Sequence, residues 1–184
     1  LHVGELFLKG TNNSSVIRTL RLDEKLDSFV VNDAKENRLS INAGYNQILD
    51  RYVNCFRLVD KFPCLVIPCD IIRDFLDEIP EEKVRKLGKI FGSYLPKHYL
   101  FLKGEGLTPE NVLDFMKTTC QDSNWYQFNT QNNNGTKTLL LRHSYGRNWS
   151  TFLNEYYHTI FKEVLNVKMN SEIGDDSLII IMKK

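Results

Sequence analysis

The sequence has almost no net charge. Its 24 Lys and Arg stand against 23 Asp and Glu, a formal +1 at pH 7. Bulk charge therefore does not draw the chain to nucleic acid or to an anionic surface, and any such binding needs local clustering. The first 60 residues are balanced too, with eight basic and eight acidic side chains. No apolar run approaches the length of a membrane span. The opening LHVGELFLKG lacks a basic segment followed by a long apolar one, so no signal peptide and a cytoplasmic location are expected. The four cysteines, Cys55, Cys64, Cys69 and Cys120, form no CxxC pair. They are expected to be buried free thiols in a reducing compartment. His98, His143 and His158, taken with Cys64 and Cys69, show no spacing that a metal demands, so neither metal nor cofactor is expected. There is no Gly-rich phosphate loop, no GxSxG and no HExxH. The paired acids Asp175 and Asp176 fall in an expected turn, and the chain is not expected to be an enzyme.

What is present is ordinary for a globular protein: 42% hydrophobic and 26% charged residues over 184 positions, with 11 Phe and 8 Tyr to build a core. That length allows one large domain or two small ones. Residues 1–15 end in TNNSS and read as a flexible arm. In residues 16–22 the pattern alternates. Leu20 and Leu22 point one way, while Ile17, Thr19 and Arg21 point the other. From Asp23 the period becomes helical, with Leu26, Phe29, Val30 and Ala34 on one face and Asp23 as N-cap. Ser40 reads as a second N-cap. Ile41, Tyr45, Ile48, Leu49 and Tyr52 form the apolar face of a second helix that extends toward Leu58.

A five-residue strand with no neighbour leaves its ladder groups unpaired. Strand, helix and helix in about forty residues also bury little surface alone. Two copies solve both problems: their RTLRL strands, residues 18–22, pair antiparallel and their leucines cover four helices. The outward Thr19 and Arg21 then suit the major groove of DNA, where Arg binds guanine bidentately. The stretch IRTLRLDEKLDSFVVNDAKENRLSINAGYNQILDRYV resembles a ribbon-helix-helix DNA-binding domain of the Arc/CopG type. The resemblance covers residues 16–54 and implies a module over residues 16–60. It implies that Ile17, Thr19 and Arg21 face outward from the ribbon. Arg18 departs from the pattern: it falls at an inward-facing position near the strand end and is expected to turn toward a phosphate instead. It also implies that Ser40 and Asn42 hold a phosphate at the start of the second helix, where free N–H groups and the helix dipole favour an anion. Gly44 falls where the family carries a bulky apolar residue. It either permits close approach of the partner subunit or weakens the dimer.

Residues 61–184 are too long and too well patterned for a disordered tail. FPCLVIP reads as a strand or edge segment. DIIRDFLDEI reads as a helix stopped by Pro80, which also starts the next helix, PEEKVRKLGKIFGSYL. Thr108 caps a third helix. WYQFNT and TKTLLLRH form a hairpin turning at Asn134-Gly135. A helix through Phe152, Tyr156 and Ile160 and two closing strands complete an α+β domain with an antiparallel sheet and helices on one face. Within LLLRHSYGRNWS, Arg142, His143, Arg147 and Trp149 surround a strand-turn-helix start able to hold an anionic ligand, with Asn148 as the helix cap. The competing assignment makes His143 a satisfied polar group and Trp149 core.

The expected function is a sequence-specific transcription regulator. Its partners would be double-stranded DNA and a second copy paired through the N-terminal strand and helices. The C-terminal domain would sense a small-molecule effector or extend the assembly to a tetramer. No membrane partner is expected. Two other readings stay open. One is an antitoxin-like protein whose main partner is a protein toxin. The other is a small-molecule-binding domain or enzyme dimerised by the N-terminal module.

Overall fold

The structure, a computed structural model, describes residues 15–57, 67–133 and 135–183. Packing divides the chain into two compact units, Leu1–Arg57 and Leu58–Lys184. The protein is α+β, with six α-helices and one four-stranded antiparallel sheet among the described residues.

In the N-terminal unit, residues 15–23 precede α1 (Glu24–Glu36) and carry no regular secondary structure. The strand expected at residues 18–22 is absent from the single chain. A strand needs a partner for its ladder groups, and no described residue of this chain supplies one. Asp23 caps α1 as its sequence suggests, with its carboxylate accepting from the amides of Lys25 and Leu26. Ser40 caps α2 (Ile41–Arg51) by accepting from Ala43 N–H at 3.1 Å. The second helix continues toward Leu58 as expected, but it is α-helical only to Arg51 and π-helical over Tyr52–Phe56. The two helices meet closely at Gly44, where a Cβ would lie 3.3 Å from that of Ala34 and 3.6 Å from Val30 Cγ1. The small residue therefore serves a contact within one chain. Tyr45 Oη donates to Asp27 Oδ1 at 2.5 Å and ties the same helices, and that hydrogen bond holds the Tyr45 hydroxyl above its ordinary pKa.

The C-terminal unit contains α3 (Cys69–Asp77), α4 (Glu81–Lys103), α5 (Pro109–Ser123), β1 (Gln127–Asn133), β2 (Thr136–Arg142), α6 (Arg147–His158), β3 (Met169–Ile173) and β4 (Ser177–Lys183). The expected FPCLVIP strand lies mostly outside the described residues, and Ile67 and Pro68 belong to no strand. Strand order is β1-β2-β4-β3, all antiparallel, with Leu141 opposite Leu178 and Leu139 opposite Ile180. Those four residues and Met182 are buried with Leu153 and Tyr157 of α6 and with Ile160 and Phe161 of the π-helical turn Thr159–Val164 that continues it. Leu140, Ile179 and Ile181 alternate with them and lie half-buried on the opposite face. Gly135, with φ 80°, turns the first hairpin.

Helix α4 runs past Leu95, through Pro96, to a left-handed Gly104. A proline inside a helix removes one hydrogen bond and normally ends or kinks it. Here Val84, Gly88, Gly92, Pro96 and Leu100 recur every fourth residue and are all buried. A Cβ on Gly88 would lie 2.7 Å from the Phe152 carbonyl oxygen, and one on Gly92 would collide with the Tyr156 carbonyl. The ridge of small residues lets the α4 and α6 backbones touch. The packing gained along that seam carries the helix through its proline.

Candidate functional site

Two regions hold the residues that the sequence singles out. The first lies in the N-terminal unit. Ile17, Arg18, Thr19 and Arg21 sit on one exposed segment directly before α1, with Ile17 92% exposed. Arg18 donates to the neighbouring Ile17 carbonyl at 3.3 Å. Ser40 and Asn42 lie exposed at the start of α2. The first amides of that helix, at Ile41 and Asn42, have no intrahelical acceptor.

What dominates this unit is uncovered apolar surface. Leu20, Leu22, Leu26, Phe29, Ile41, Ile48, Leu49, Tyr52, Val53 and Phe56 are all exposed, Phe29 at 59%. Ala34 is its single buried hydrophobic residue among those described. Burying a Leu or Phe side chain returns about 1.5–3 kcal/mol each, and in one chain these side chains remain largely unburied. The helices are well capped and amphipathic, yet no described residue of their unit takes the faces they present out of water.

The second region is the turn between β2 and α6. His143 has a fully buried side chain. Its Nδ1 accepts from Tyr145 N–H at 3.2 Å, which leaves the proton on Nε2. Nε2–H then donates to Ser150 Oγ at 2.9 Å, and the serine hydroxyl donates onward to the Ser177 carbonyl at 3.1 Å. Burial pushes the His143 pKa down to about 4, while the Asp176 carboxylate, 4.0 Å away, pulls weakly the other way. The imidazole is neutral at pH 7. The proton points at the serine rather than away from it, and Ser150 is itself fully buried. This pair is not arranged as a nucleophile and its base.

Asp176, Arg147, Trp149 and Asn148 are also engaged. Asp176 accepts from Gly146 N–H at 3.0 Å, and its carbonyl accepts from His143 N–H at 3.0 Å. Arg147 lies 3.6 Å from Asp175 and reaches the Ile173 carbonyl at 3.5 Å. Trp149 donates from Nε1 to the Trp125 carbonyl at 3.0 Å and stacks on Phe152 at 4.9 Å. Arg142 is exposed at the end of β2. Gly146, with φ 79°, occupies the cap position of α6. Asn148, the expected cap, instead donates from Nδ2 to the carbonyls of Leu76 and Ile79, at 2.7 and 3.0 Å. It closes the carbonyl end of α3, where the Leu76 carbonyl also accepts from Ile79 N–H at 3.1 Å.

Sequence reasoning missed Tyr145. Its hydroxyl donates to the Asn124 carbonyl at 2.8 Å and lies 3.1 Å from Cys69 Sγ. Burial, with the Cys69 contact adding to it, pushes its pKa up to about 12. A tyrosine inside a turn that is rich in polar residues was the available signal. Among the described residues no cluster of three or more His, Cys, Asp or Glu is placed to hold a metal ion. None of the described helices is long and apolar enough to cross a membrane. No protein-family model matches the chain, and no curated protein matches it.

Proposed function

We propose that the protein is a DNA-binding regulator that acts as a homodimer through its N-terminal unit. Residues 18–22 of two chains pair as an antiparallel ribbon, and Leu20 and Leu22 close over the four helices. Thr19 and Arg21 face outward into the major groove, with Ile17 beside them. Arg18 and the start of α2, at Ser40 and Asn42, meet the phosphate backbone. The observation that carries this reading is the exposed apolar face of the N-terminal unit against the single buried hydrophobic among its described residues, Ala34. Such a unit is complete only when another apolar surface covers it. A second copy supplies that surface and the missing strand together. Two ordered features fit the role: the capped start of α2 and the exposed arginine segment ahead of α1.

Fluorescence anisotropy on randomised duplexes, at low and physiological salt, tests the function. The expected result is salt-dependent binding by the wild type. Arg21→Ala is expected to lose about 1–3 kcal/mol on preferred sequences and to lose the preference itself. No binding by the wild type at low salt would reject a DNA-reading apo protein.

A further inference from the structure

The C-terminal unit carries two exposed helix faces of opposite charge. On α3, Ile71 and Phe75 are exposed, Phe75 at 65%. Asp70, Asp74 and Glu78 are exposed along with them. Helical spacing puts Ile71, Asp74, Phe75 and Glu78 on one stripe. On α4 the buried seam that meets α6 leaves the opposite side to solvent. That outer side should be polar, yet it presents Ile90, Tyr94 and Phe101, the last 77% exposed. Lys86 and Lys97 lie exposed on the same side. From Lys83 to Lys103 the sequence contains no acid at all, whereas residues 70–82 hold six acids and one arginine. Among the described residues no ion pair engages Asp70, Asp74, Glu78, Lys86 or Lys97.

One stripe is apolar and acidic, and the other is apolar and basic. Each supplies what the other lacks, and every chain carries both. We infer that the outer face of α3 on one C-terminal unit docks on the outer face of α4 of a second copy, and reciprocally, about a two-fold axis. The apolar side chains would form the centre of each contact and the charges its rim. That is the usual anatomy of a specific interface, and opposed rims set partner and register. A closed two-fold pairing uses both stripes of both chains and leaves neither exposed.

The proposal is separate from the N-terminal pairing, although both bring copies of the chain together. Sedimentation velocity on the full chain distinguishes them through two sets of substitutions. With the N-terminal face disabled by Leu22→Asp and Phe29→Asp, the chain is expected to sediment as two copies. Adding Lys86→Glu and Lys97→Glu should give one copy, with association weakened by about a hundredfold or more. Adding Asp74→Lys and Glu78→Lys to that protein reverses both stripes and should restore two copies, which a misfolded variant would not do. A single copy before any α3 or α4 change would overturn the inference. So would a mass indifferent to those charges. Loss of duplex affinity in Lys86→Glu/Lys97→Glu at unchanged mass would also overturn it, by assigning the α4 face to nucleic acid. The same two α4 changes in an otherwise wild-type chain report on the N-terminal reading alone. Two or more copies persist if that pairing exists, and one remains if it does not.

Discussion

The two units of this protein solve the burial problem in opposite ways. The C-terminal unit has a continuous core in which the sheet's Leu139, Leu141, Leu178 and Ile180 meet Leu153, Tyr157, Ile160 and Phe161. The N-terminal unit has comparable apolar patterning and sound helix caps but buries only Ala34 among its described hydrophobics. Amphipathic sequence is therefore not enough to make a core. A helix face becomes core only where the same chain, or another copy of it, provides the opposing face. In the C-terminal unit that face is encoded within the chain. In the N-terminal unit it is proposed to arrive with a partner.

Each unit can be disabled without the other. The largest effect is expected from Leu22→Asp with Phe29→Asp, which place charges where the second copy would bury apolar side chains. Association through the N-terminal unit and duplex binding should both fall by more than about 4 kcal/mol. The near-ultraviolet dichroism of the C-terminal aromatics should stay as in the wild type. Gly92→Val is the converse. Its side chain has no space against the Tyr156 carbonyl, so α4 must separate from α6. The C-terminal unit should lose about 3 kcal/mol in denaturant unfolding, while duplex affinity is retained.

A smaller effect should appear in acid. The folded state holds His143 at about 4, against 6.5 for an ordinary histidine. Between those values the unfolded chain binds the proton and the folded one does not. The stabilisation is complete above about pH 6.5 and is lost as pH falls toward 4, on the order of 2–3 kcal/mol in all. Urea midpoints of the C-terminal unit measured across that range should drop accordingly, and His143→Asn should flatten the slope. An equally steep slope in the variant would place the proton uptake elsewhere.

Much of this architecture is readable in the residues themselves. Asp23, Ser40 and Thr108 announce three helix starts because a capping side chain acts on amides two or three positions away. The hairpins and the antiparallel sheet follow from alternation and from turn residues such as Gly135. What stays hidden depends on contacts between distant positions. Nothing local to Gly88, Gly92 or Pro96 says that the backbone of Phe152 to Tyr156 lies against them, so a helix that survives its proline looks like one that should end there. His143 reads as a ligand or, more readily, as a satisfied polar group, and the choice is made only when Ser150 and Ser177 come into reach. Asn148 resembles a cap for its own helix, and only the fold reveals that it closes another. Residues 18–22 are the extreme case. Their alternation is plain, but the strand they would pair with belongs to no described part of the same chain.

Amide hydrogen exchange across residues 18–22, followed as a function of protein concentration, decides whether a second copy completes the N-terminal unit. If a second copy completes the N-terminal unit, alternate amides in that segment will be protected at high concentration. The protection should fade on dilution and be absent from Leu22→Asp/Phe29→Asp. Exchange at the rate of an unstructured peptide at every concentration would contradict the claim, because no ribbon would then exist to cover the helices or to enter a groove.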